Sequence, residues 1–258
     1  MYRSKTYRER RIEEVEEDIR KCAASGLYPD KIFFCDGDAL GASFELLEKS
    51  LLAVQKYFPD CRRVGVYATA ENILGKSDDE LKRLRELGLG IAYLGLETGD
   101  EKILHMIVKG NTANEMIEAS LKLKRAQIKL STIAMLGVGG QDLSAQHIEG
   151  TAKVLSATCP EFFSFLTTFS VPGTPYHKME ERGLIKPLTS KMLLTEMREI
   201  LSRSSFTLNP VIFRANHVSN QHPLGGVLPR DLKSIIETLD NWIAHTPEGQ
   251  FPPRPQQM

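Results

Sequence analysis

The chain shows no excess of either charge: 33 basic side chains face 33 acidic ones over 258 residues. That balance excludes a general affinity for nucleic acid or anionic membrane and leaves only local patches. No apolar run approaches a membrane span, and the opening MYRSKTYRERR is too polar for a secretory leader, so we expect a cytoplasmic protein. Four cysteines, Cys22, Cys35, Cys61 and Cys159, form no CxxC pair. This argues against a disulfide framework or a zinc site, and leaves small buried hydrophobes as the default reading. The histidines lack HxxxH or HxH spacing, so they give no metal signal. Also missing are GxGxxG opening a helix and GxxxxGK followed by Ser or Thr, the usual phosphate cradles.

What the chain does have is a steady alternation of short apolar runs and amphipathic stretches. Arg11 to Ala24 sets Ile12, Val15, Ile19 and Cys22 at helical spacing, and Lys31 to Cys35 is a short strand ending in Asp36, Gly37 and Asp38. A helix that Ser43 can cap runs to about Phe58, and Arg63 to Tyr67 repeats the strand pattern. Ser77 with Glu80 forms a capping box for a helix stopping near Gly88, and Thr112 with Glu115 forms another. Between them IAYLGLETGD, residues 91–100, reads as a strand buried on both faces that ends at Glu97 and Thr98. Leu130 to Leu136 is a further strand, running into Gly137, Val138, Gly139 and Gly140. Ser144 to Ser156 follows as a helix, Phe162 to Phe169 as a strand, and VPGTP at 171–175 as a rigid turn. Helices are expected near 176–182 and 189–202.

After Ser205 the alternation loosens. We expect a brief apolar segment at Val211 to Phe213, a helix from Pro229 to about Ala244, and an unstructured tail. The length suits one sizeable core. The expected fold class is α/β, a parallel sheet closed or partly closed into a barrel, with residues 1–205 as barrel and 206–258 as a C-terminal extension. One feature is odd: a helix opens the chain and no strand precedes it.

Polar groups and glycines recur at each strand end: Asp36, Gly37 and Asp38; Thr69 and Glu71; Glu97 and Thr98; Gly137 and Gly139; Thr168 and Pro172. In parallel α/β folds that end binds ligands. Glu97 has two readings at this point, a cap for the helix after it or a ligand contact. Asp36 and Asp38 also raise the alternative of Mg²⁺-dependent phosphoryl transfer, although the residues that follow, Ala39 and Leu40, suit it poorly.

FFCDGDAL at 33–40, YLGLETGDEKIL at 93–104, KG at 109–110, MLGVGG at 135–140, SVPGTPYHKMEERG at 170–183 and FRANHVSNQHPLGGVLPRD at 213–231 together resemble a radical S-adenosylmethionine (radical SAM) enzyme. The resemblance is to the broad group that includes oxygen-independent coproporphyrinogen oxidase and the Elongator-type proteins. It implies a partial (β/α)6 barrel holding a [4Fe-4S] cluster and S-adenosylmethionine, whose cleavage gives a 5′-deoxyadenosyl radical. By the same resemblance, Gly37 and Asp38 receive the methionine amino group and Glu97 reaches the ribose hydroxyls. Backbone at Leu136, Gly137 and Gly139, with the wall near Thr168, brackets the adenine, and Asn216, Ser219 and Asn220 help close the pocket.

The family's CxxxCxxC triad and first strand do not occur in this sequence. We therefore expect an N-terminally truncated family member that is inactive as given, with the cluster expected only in the full-length form. The strand at Lys31 would then be an exposed edge open to association. Substrate and catalytic residues stay unknown at this stage. The alternative is a barrel that binds S-adenosylmethionine without cleaving it.

Overall fold

The structure, a computed structural model, describes residues 8–254. Helices α1 (Ile12–Ala24), α2 (Phe44–Tyr57), α3 (Ala70–Gly75), α4 (Asp78–Glu86), α5 (Glu101–Met106) and α6 (Ala113–Arg125) interleave with strands β1 (Lys31–Phe34), β2 (Arg63–Ala68) and β3 (Leu89–Glu97). There follow β4 (Lys129–Leu136), α7 (Gly140–Thr158), β5 (Phe162–Thr167), α8 (Pro175–Glu181), α9 (Ser190–Arg203), β6 (Val211–Arg214), β7 (Gly225–Leu228) and α10 (Leu232–His245). The seven strands lie in chain order, from β1 at one end to β7 at the other, so the sheet does not close. Described pairings are parallel except β6 with β7, which is antiparallel. The chain is thus α/β, as its alternation predicts.

Two compact units divide it. The first takes the described residues up to Leu94 with Leu121–Leu130, and the second takes Gly95–Ser120 with the described residues from Ser131. In the first unit Val64 and Val66 of β2 are buried with Leu89 and Leu94 of β3, Leu47, Leu51 and Val54 of α2, and Leu81 and Leu84 of α4. Alternation of side chains along a strand puts Phe33, Tyr67 and Tyr93 on one face, where their rings meet edge to face at centroid distances of 4.9–6.1 Å. The capping boxes at Ser77 and Thr112 both form. Helix α1 departs from expectation: of its apolar positions only Ile19 is buried, and Cys22 is exposed, as is Cys35. Of the four cysteines only Cys159 is buried.

In the second unit the strands sort their residues cleanly. Ala134 and Leu136, Phe163 and Phe165, Val211 and Phe213 pack on Leu194, Met197, Ile200 and Leu201 of α9 and Ile235 and Leu239 of α10. The alternate positions, Ile133, Met135, Ser164, Leu166 and Ile212, form the other, half-exposed face. Burying six such apolar side chains contributes on the order of 10 kcal/mol before entropy is subtracted.

Two helix starts and one strand differ most from the sequence expectation. Helix α7 starts at Gly140 rather than Ser144, because the glycine run folds into its first turn with Gly139 as N-cap. Helix α10 starts at Leu232, since Pro229 and Arg230 belong to the turn after β7 and Asp231 is the N-cap. The unforeseen β7 exists because Gly225 to Leu228 can pair with β6 antiparallel, which brief apolar content does not announce. The tail forms no helix or strand as far as Arg254, yet Gln250 O accepts the Ser190 backbone N–H at 2.7 Å.

Candidate functional site

Glu97 ends β3 in left-handed backbone, φ 60°. A β-carbon there costs roughly 1–2 kcal/mol, so something must hold it. Its Oε1 accepts a hydrogen bond from Lys109 Nζ at 2.9 Å, both side chains being about three-quarters buried. Of the two readings, the helix cap is removed: Asp100 caps α5, its Oδ1 accepting the Ile103 N–H at 2.9 Å. Glu97 is left with one carboxylate oxygen outside this clasp.

The residues after it are anchored inward. Thr98 Oγ1 lies 2.8 Å from His147 Nδ1 of α7, and Thr151 Oγ1 accepts the Gly99 N–H at 3.1 Å while lying 3.3 Å from the same ring nitrogen. Gly99 and Gly150 touch backbone to backbone, so that a β-carbon on either would collide with the other. Neither can be anything but glycine without separating the turn from α7.

The turn after β4 is built from its neighbours in the same way. Gly137, φ 78°, donates its N–H to Glu196 Oε2 of α9 at 2.6 Å, and Ser144 Oγ donates to Glu196 Oε1 at 2.7 Å. Tyr176 of α8 places its hydroxyl 3.2 Å from the carbonyl oxygens of both Gly137 and Val138. Burial pushes the Tyr176 phenol up, which keeps it a donor. Burial also pushes the Glu196 carboxyl up to about 7, against the pull of Ser144 and Gly137, and pushes His147 down to about 4. His147 Nε2 has no hydrogen-bond partner and faces Glu196 Oε2 at 3.8 Å.

The strand-end residues of the second unit divide by task. Thr168 donates its N–H to Leu136 O at 2.9 Å, while its buried Oγ1 has no partner. Ser219 and Asn220 secure β5: Ser219 Oγ accepts the Thr167 N–H at 3.1 Å, Asn220 Oδ1 accepts the Thr167 hydroxyl at 3.0 Å, and Asn220 Nδ2 donates to Phe165 O at 2.7 Å. Asn216 is exposed. In the first unit Asp36 also has left-handed backbone, φ 67°. Asp38 Oδ2 accepts from Asn72 Nδ2 and, at 3.5 Å, from Thr69 Oγ1, whereas Asp38 Oδ1 is buried without a partner. Burial holds the Asp38 carboxyl above its usual range. Gly37 and Asp36 are exposed beside it.

In the second unit the Thr168 hydroxyl and the Glu97 carboxylate suit hydroxyl groups, and in the first, taken by itself, Asp38 Oδ1 suits an ammonium. A [4Fe-4S] cluster is not suited by the cysteines, which lie in α1, after β1, before β2 and after α7, and among the described residues no three His, Cys, Asp or Glu side chains group to hold a metal ion. Sequence reading missed His147, Ser144, Tyr176 and Glu196. A signal existed for two of them: Glu196 sits among Leu193, Leu194, Met197 and Ile200, and His147 among Ile148, Thr151 and Val154, on otherwise buried helix stripes.

Comparison with known proteins points one way. A family model described as "Radical SAM superfamily" matches residues 2–155, more than half of the chain. No curated protein sequence matches it. Among solved structures, the archaeal Methanocaldococcus infernus Elp3 with an N-terminal deletion is similar at TM-score 0.57 and 16% identity, over 90% of this chain and 58% of that one. Coproporphyrinogen III oxidase (HemN) from Escherichia coli, described as a radical SAM enzyme, gives TM-score 0.57 and 12% identity over 74% and 44%. Methylornithine synthase (PylB) gives 0.54 and 15% over 98% and 77%. At these identities the likeness is of fold, and the chain spans 58% and 44% of the first two.

Proposed function

Because the chain belongs to the radical SAM superfamily, we propose that it binds S-adenosylmethionine, using the carboxyl end of β3 and the glycine turn after β4 for the nucleoside. The observation that carries this reading is Glu97: a carboxylate in strained backbone, clasped on one side by Lys109, at the strand end where α/β folds receive ligands. A carboxylate oxygen so placed accepts hydrogen bonds from a ribose diol, and its charge makes them strong. The unpartnered Thr168 Oγ1 and the backbone of Leu136, Gly137 and Gly139 flank the adenine in this reading. Taken by itself, the first unit holds a separate acceptor for an ammonium group, Asp38 Oδ1.

Bound S-adenosylmethionine supplies an activated sulfonium carbon. The residues of this chain bind and orient it; Glu196, Ser144 and Tyr176 fix the turn, and His147 fixes Thr98. Reductive cleavage to a 5′-deoxyadenosyl radical, the activity the family implies, needs a cluster supplied from outside the described residues. The activity proposed for the chain itself is therefore binding. Isothermal titration with S-adenosylmethionine should give saturable heat, weakened about tenfold in Glu97→Gln. Absence of heat from the unaltered chain overturns the reading.

A further inference from the structure

The last two strands carry a feature that the nucleoside reading does not use. An open groove of about 510 Å³ lies on β6, β7 and the turn after them, and Arg214, Asn216 and Arg230 are its polar lining. Its lining residues include no acidic one, the nearest carboxylate being that of Asp231 behind Gly226 and Val227. Arg214 is the last residue of β6, at the carboxyl end of the parallel strands, and its position alternates with buried Phe213, which sets it on the half-exposed face with Ile212. That is the end of a parallel sheet where ligands bind.

Both guanidinium groups are held in place. Arg214 Nη1 donates to Phe213 O at 2.7 Å and, at the limit, to Gly226 O at 3.5 Å. Among the described residues Arg214 has no carboxylate partner, so its charge is uncompensated. Gly225, opposite Arg214 in the antiparallel register, makes the room: a β-carbon there would lie 3.2 Å from both Arg214 Cδ and Nη1 and 3.0 Å from Phe213 O. Arg230 is tied by Asp231, with Nε to Oδ1 at 2.7 Å and Nη2 to Oδ2 at 2.8 Å, and Asp231 Oδ2 is itself anchored by the Val227 N–H at 2.8 Å. Two guanidinia and one carboxylate leave one net positive charge, carried by Arg214.

We propose that this groove is a binding site for a small oxyanion, a phosphate or carboxylate group carried by a small molecule, with Arg214 as its principal donor and Asn216 beside it. Oxyanions match the donor fork of a guanidinium, and an arginine with its charge uncompensated binds them best. The chain's zero net charge makes a general polyanion surface the less fitting occupant.

The test titrates the whole chain with inorganic phosphate and, separately, succinate, following the amide resonances of Gly225 and Gly226 by NMR. Saturable shifts with either probe support the site, and which probe saturates decides between phosphate and carboxylate. Arg214→Gln should weaken the apparent affinity about tenfold, and Gly225→Ala should weaken it by pushing the guanidinium aside. Lys233→Gln, at a nearly fully exposed position on α10, should leave it unchanged. Linear, unsaturated shifts, or equal affinity in Arg214→Gln and the unaltered chain, overturn the proposal. No S-adenosylmethionine enters the experiment, so its outcome is separate from that of the nucleoside reading.

Discussion

His147 Nε2 stands 3.8 Å from Glu196 Oε2, with both side chains shut off from solvent. Through this pair the Thr98–Gly99 turn, bonded to the imidazole and Thr151, meets the Gly137 turn, bonded to the carboxyl. Burial disfavours the charged form of each, so between about pH 4 and 7 both stay largely neutral.

Their titrations act on stability in opposite senses. Glu196, raised to about 7 from an ordinary 4.5, keeps its proton when folded while the unfolded chain ionises, so its contribution falls as pH rises from 4.5 to 7. His147, lowered to about 4 from 6.5, stays neutral when folded, so its contribution falls as pH drops from 6.5 to 4. Across pH 4.5–6.5 the two offset each other in the unaltered chain. Glu196→Gln should leave the histidine effect bare, with stability rising by ~1.4 kcal/mol per pH unit over that window. His147→Asn should show the reverse slope. Urea unfolding at both ends of the window checks this, and parallel slopes in all three proteins would refute it.

Glu97 sets stability against binding. Glu97→Gly relieves the left-handed strain and loses a partly buried ion pair, two effects of about 1 kcal/mol each and opposite sign. The unfolding midpoint should stay near that of the unaltered chain while S-adenosylmethionine affinity is lost. A large fall in the midpoint would show that the Lys109 clasp is structural.

Gly99 and Gly150 should tolerate no side chain. Alanine at either forces backbone from backbone, and we expect a loss of about 3 kcal/mol or more. Gly75→Ala, where an added β-carbon meets nothing within 4 Å, serves as the control and should be neutral or slightly stabilising. Equal stability of Gly99→Ala and Gly75→Ala would contradict the contact.

Asp38→Asn tests the ammonium acceptor of the first unit by itself. It replaces the unpartnered carboxylate oxygen, so the affinity for free methionine should fall about tenfold. Because burial raises the Asp38 carboxyl, that affinity should also fall as pH is lowered through its titration. Calorimetry with methionine decides it.

The alternation of strands and helices was readable from period and caps, since Ser43, Ser77 and Thr112 each sit where local chemistry alone fixes a helix start. Strand β7 was not, because its Gly225-Gly226-Val227-Leu228 has little strand character and exists by pairing with β6. The rim residues Glu97, Gly137 and Thr168 could be named from strand ends. The groups that hold them, His147, Glu196 and Tyr176, come from distant helices, and only the fold brings them near. The choice for Glu97 between cap and site turned on Asp100, one polar residue among several able to cap the same helix.

The segment 248–252 has the composition that invites trimming before crystallisation, yet Gln250 O receives the Ser190 N–H and Glu248 pairs with Lys191, both at the start of α9. Glu196 lies six residues further along that helix. Shortening the chain there would untie the foot of the beam that carries the buried carboxyl, and a proteolytic nick in an unremarkable coil would be felt at the Gly137 turn.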